Sequence, residues 1–90
     1  MGYNIRTGQL KGAFKANTEL FTEIKNEASI NVKYVKHIGI QAPVSTVVAL
    51  NKKEYEIGKT GVYEIGNSEI TSIYFLEDTD DKVIIDYTIE

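Results

Sequence analysis

Ile30-Asn31-Val32-Lys33-Tyr34-Val35-Lys36-His37-Ile38-Gly39-Ile40-Gln41-Ala42-Pro43 is the stretch on which the fold turns. Its period is two. Ile30, Val32, Tyr34, Ile38, Ile40 and Ala42 fall on one face, and Asn31, Lys33, Val35, His37 and Gln41 fall on the other. Alternation of this kind belongs to a strand with one dry side. Lys36 interrupts the apolar face and, with Gly39, predicts a bend or bulge mid-strand. Pro43 closes the run, because proline donates no ladder hydrogen bond.

Downstream, short β-branched and aromatic runs recur: Thr46 to Leu50, Glu54 to Ile57, Val62 to Ile65, Glu69 to Leu76, and Val83 to Ile89. Turn-forming clusters separate them at Asn51-Lys52-Lys53, Gly58-Lys59-Thr60-Gly61, Gly66-Asn67-Ser68 and Asp78-Thr79-Asp80-Asp81. Such spacing predicts an all-β fold, a small antiparallel β-sandwich of jelly-roll or Ig-like type. Upstream, residues 17–28 read two ways. Leu20, Phe21, Ile24 and Ala28 fit a helical face behind an Asn17 or Thr18 cap, while Leu20 to Ile24 also fits a strand, and the strand is the expectation adopted. Residues 1–16 carry Gly2, Gly8 and Gly12 without a sustained period and read as a flexible or extended N-terminal arm, leaving 17–90 as a single β-sandwich domain.

Ninety residues make one small domain with a thin core, which an oligomeric interface would help to complete. The chain is 42% hydrophobic and 26% charged, the balance of a folded protein rather than a disordered one. With no cysteine, disulfides, thiolate chemistry and Cys-based zinc sites are excluded. Apolar runs such as Val47 to Leu50 fall far short of the ~20 residues a membrane-spanning helix needs, so no membrane insertion is expected. Met1-Gly2 is followed by Arg6 where a myristoylation signal requires Ser or Thr. Net charge is −3, against nucleic acid as a partner. The charge is split: residues 1–38 sum to +3 and residues 39–90 to −6. That gradient either steers one copy's arm onto another copy's body or is an ordinary solvated surface.

No motif carries chemistry. Gly58-Lys59-Thr60 lacks the earlier glycine of a phosphate loop, whose place is taken by Lys53, and reads as a turn. Glu77, Asp78, Asp80 and Asp81 lack the EF-hand pattern, since Lys82 and Val83 stand where a ligand and a glycine belong. His37 is the one histidine and has no nucleophile or second metal ligand at motif spacing. Catalytic, metal and cofactor sites are therefore not expected, and the chain reads as a non-enzyme. Five strand tyrosines stand out, Tyr34, Tyr55, Tyr63, Tyr74 and Tyr87, with Tyr3 in the arm. Tyrosine serves both core and interface, or stacks on sugar rings. Tyr34, His37, Tyr55, Tyr63 and Tyr74 are the candidate interface or glycan contacts.

Lys36-His37-Ile38-Gly39-Ile40-Gln41-Ala42-Pro43, Ile57-Gly58-Lys59-Thr60-Gly61-Val62-Tyr63-Glu64, Ile70-Thr71-Ser72-Ile73 and Ile85-Asp86-Tyr87 carry a resemblance. The chain resembles small structural proteins from the virion modules of tailed phages and prophages of Gram-positive bacteria, of the tail or baseplate accessory type. It departs from them at Val44-Ser45, where a small residue or glycine is expected after Pro43. The resemblance implies a homo-oligomer, other virion structural proteins as partners, assembly in the bacterial host cytoplasm, a place in the virion, and no activity. The alternative from the tyrosines is a carbohydrate-binding module for cell-surface glycan. A third reading is an immunoglobulin-like adhesion module, without the cysteine pair and tryptophan of antibody domains.

Overall fold

The computed structural model describes residues 7–28 and 31–90. Seven strands and one helix follow in the order β1 (Thr7–Lys11), α1 (Phe21–Ala28), β2 (Val35–Gln41), β3 (Val47–Leu50), β4 (Lys53–Glu56), β5 (Val62–Ile65), β6 (Ile73–Phe75) and β7 (Ile84–Ile89). A four-stranded sheet, β1-β7-β2-β5, faces a three-stranded one, β4-β3-β6, with every pairing antiparallel. The protein is a small all-β sandwich. No helix among the described residues is long and apolar enough to cross a membrane.

Register explains the interior. Leu10 lies opposite Ile85, Ile85 opposite Ile40, and Ile40 opposite Tyr63, so one row of side chains crosses the whole larger sheet. The next row is Gly8, Tyr87, Ile38 and Ile65. Gly8 is required there, because a Cβ would overlap the Tyr87 ring and hydroxyl. Val48, Leu50, Ile73 and Phe75 face these rows from the smaller sheet, and all belong to one buried cluster. Each such side chain contributes on the order of 1.5–3 kcal/mol by leaving water. No polar or charged residue among those described is buried.

The expected irregularity in β2 is present. Its pairing with β7 shifts between Val35 and His37, so Lys36 is the extra residue. The bulge reverses the alternation: Val35 is fully buried although the run of twos placed it on the polar face, and Ile38 and Ile40 remain inside. Ile30, the first residue of that run, lies outside the described residues. The expected strand over Glu69 to Leu76 shortens to β6, while Ile70 makes a single bridge to Val35 that carries the chain from one sheet to the other.

Two expectations are corrected. Of the arm proposed over residues 1–16, residues 1–6 lie outside the described region, and the rest belongs to the body. β1 pairs along β7, after which residues 12–20 run beside 73–83. Backbone bonds join Gly12 to Val83 (2.8 Å), Asn17 to Phe75 (2.8 Å) and Leu20 to Ile73 (2.7 Å). Phe14 stacks on Phe75 with centroids 5.6 Å apart. Gly8 and Gly12 mark close backbone approach rather than slackness.

The strand expected from Leu20 to Ile24 is instead the entrance and first turn of α1. A strand would bury Leu20, Thr22 and Ile24 and expose Phe21. The helix buries Leu20, Phe21 and Ile24 together and leaves Thr22 outside. The Glu19 carboxylate accepts the Phe21 N–H (3.2 Å), and also the Ile73 N–H (2.6 Å) and the Ser72 hydroxyl (2.7 Å). Eight residues make a marginal helix in isolation, so this packing and capping hold it.

The β3–β4 hairpin turns on Asn51 (φ 52°) and Lys52 (φ 70°), the paired left-handed geometry that suits Asn-Gly. Asn51 also fastens the crossover. Its side chain accepts the Thr71 N–H (2.9 Å) and donates to the Glu69 carbonyl (3.0 Å). Lys52→Gly is therefore expected to raise the melting temperature, by about 4–8 °C if ~1 kcal/mol of left-handed strain is relieved. Asn51→Ala is expected to cost about 2 kcal/mol by removing these bonds and the residue that tolerates the turn. Chemical denaturation measures both.

Candidate docking cleft

The sequence candidates do not converge. His37 lies on the outer face of the larger sheet, its Nε2 3.3 Å from the Glu64 carboxylate across the strand pair. Tyr55 and Tyr63 stack on each other, centroids 5.1 Å apart, where β4 and β5 close one side of the sandwich. Tyr74 lies opposite Ala49, on the outer face of the smaller sheet. Tyr34, half-buried ahead of β2, accepts the Glu90 N–H through its carbonyl (3.0 Å). Tyr87 is in the core. Gly58 to Gly61 forms the expected turn, with the Gly61 N–H on the Gly58 carbonyl (3.0 Å), though only Gly61 has a positive φ (74°).

Two loops that the sequence reading treated separately do meet. At the end of the sandwich where β2 finishes and β7 starts, the Pro43–Thr46 turn and the loop after β6 enclose an open cleft of about 440 Å³. That volume falls in the ~300–1,000 Å³ range of ligand-binding clefts. Val83 and Val47 form apolar floor, Leu76 continues it, and Glu77, Asp78 and Asp80 line one wall. The facing wall is uncharged, with Val44 57% exposed at its crest. Val44 and Val62 are the exposed large apolar residues among those described, and Val44 is the one that borders this concavity.

Both walls are pinned. In the Pro43–Thr46 turn the Thr46 N–H reaches the Pro43 carbonyl (3.2 Å), and Ser45 takes φ 73°, the conformation glycine adopts freely. Ser45 and Thr46 are further tied to Ile57 by two backbone bonds of 2.8 Å. The departure at Val44-Ser45 thus leaves a well-formed turn and adds an apolar crest. On the acidic side, Asp78 accepts the Ala16 N–H (2.8 Å), Asp80 accepts the Lys82 N–H (2.9 Å), and Thr79 is bonded both ways to Phe14. Glu77 makes no hydrogen bond or ion pair with another described residue. The ion pairs among the described residues, Lys36–Glu90 and His37–Glu64, lie elsewhere, so the acidic wall is not neutralised by them.

No cluster of three or more metal-ligating side chains occurs among the described residues. The cleft offers apolar contact and negative charge, the chemistry of capture. Its separate signals were visible in the sequence as an apolar residue inside a proline turn and an acidic loop. Their adjacency was not, because some thirty residues and four strands separate them. Comparison with protein families, curated proteins and solved structures finds no match.

Burial raises the Tyr63 phenol above its ordinary pKa, with neighbouring Tyr55 adding to it; burial and then Glu27 do the same for Tyr87. A raised folded-state value favours the neutral phenol, so this contribution is intact below about pH 10 and is lost as the pH rises through the folded pKa. Stability is expected to fall above about pH 10, and ultraviolet titration should show two phenols ionising late. Tyr63→Phe should remove one of them.

Proposed function

We propose that this chain is a non-enzymatic structural module that works by holding protein. It self-associates or docks on a larger assembly, the tail or baseplate of a virion in the setting that the resemblance implies. The observation carrying this reading is the end cleft, an apolar floor under an exposed Val44 and against an acidic wall that forms no ion pair among the described residues. Its walls are fixed by backbone hydrogen bonds, so little order is lost on binding. Beside it, the half-buried Val47, Tyr74 and Leu76 share the outer side of the smaller sheet and continue the apolar surface from the cleft mouth.

The glycan reading has less to support it. Tyr55 and Tyr63 are occupied by each other, Tyr87 is buried, and no described tyrosine is fully exposed. Sugar stacking calls for open aromatic faces in a row.

Sedimentation velocity across the micromolar range tests the proposal. The expected result is a mass that rises with concentration, and Val44→Asp should suppress that rise while shifting folding stability by less than about 0.5 kcal/mol, as a surface change does. A chain that stays monomeric throughout and is absent from purified particles would remove the reading.

A further inference from the structure

We infer that the end cleft receives residues 1–6 of a second copy of this chain, Met-Gly-Tyr-Asn-Ile-Arg, in a head-to-tail contact. The inference rests on the docking reading and names the occupant. Charge is the first reason: residues 1–6 hold Arg6 and no acid, while the cleft wall holds Glu77, Asp78 and Asp80. Side-chain pattern is the second. Tyr3 and Ile5 are two apart in the sequence, so a segment bound in extended form would turn both to an apolar floor and Arg6 to the rim.

Register decides between the same copy and another. Thr7 pairs with Thr88 and Lys11 with Ile84, whereas the cleft lies beside Val83. The chain ahead of Thr7 therefore starts about 17 Å from its own cleft, taking ~3.4 Å per residue along β7. Tyr3 can reach about 14 Å from Thr7 and Met1 about 21 Å, but Ile5 and Arg6, which the same seating needs, reach at most about 7 Å. Tyr3, Ile5 and Arg6 therefore cannot sit together in their own cleft, while that of a neighbour placed end to end is within reach of all three. Donor and acceptor surfaces differ, so the contact is heterologous and propagates into a ring where the rotation closes, or a filament where it does not.

The test mixes two full-length variants in sedimentation velocity. Ile5→Asp/Arg6→Glu spoils the donor segment, and Val44→Asp/Glu77→Lys spoils the receiving cleft. Each alone should self-associate about tenfold or more weakly than the parent chain. An equimolar mixture should form a one-to-one dimer and stop there, because it holds a single intact donor–cleft pair. A photo-crosslinking residue in place of Tyr3 in the parent chain should label residues 43–47 or 76–80 of another copy.

A donor variant that assembles like the parent overturns the inference, and if the cleft variant is weakened in the same experiment the docking reading survives. A mixture that remains monomeric, or crosslinks confined to other surfaces, also overturns it. Matching melting curves for both variants and the parent exclude misfolding as the cause.

Discussion

The pairing of β2 with β7 at the centre of the larger sheet is the constraint on which everything else depends. Through it, Ile40 meets Ile85 and Ile38 meets Tyr87, so side chains from residues nearly fifty positions apart form the middle of both interior rows. The Lys36 bulge sets the phase of that pairing. Without the extra residue, Val35 and the Ile38–Ile40 pair could not all point inward, since a strand alternates strictly. One surplus lysine thus converts a pattern with an apparent defect into a continuous dry face.

A small sandwich must also manage its open sides. Here they are closed by different means. On one side, residues 12–20 run along the β6 edge and stack Phe14 on Phe75. On the other, Tyr55 and Tyr63 lie against each other between the two sheet edges. Leu20, Phe21 and Ile24 bring α1 into the core against β1, whereas the Pro43–Thr46 turn borders a concavity.

The sequence revealed what depends on period and turn chemistry. β2, the short strands that follow it, the bulge, and the turns at Asn51-Lys52 and Gly58 to Gly61 all have local causes, and the sandwich follows from them. Residues 7–28 were misread because their partners lie far away. Phe14 is ordered by Phe75 and Thr79, and the helix start is capped by a carboxylate that also binds Ile73, none of which a local pattern contains. The candidate tyrosines failed to form one site for the same reason: alternation tells which residues share a strand face, not which faces meet. Val44 beside the acidic loop is the clearest instance.

The position of β7 has a bearing on how this chain is born. It follows the other six described strands in the chain, yet it sits in the interior of its sheet with β1 on one flank and β2 on the other. Until β7 is available, the two strands that flank it cannot be joined, and Ile38 and Ile40 lack their neighbours Tyr87 and Ile85. The larger sheet therefore cannot be completed in stages as the chain lengthens, and it closes only once β7 has been added.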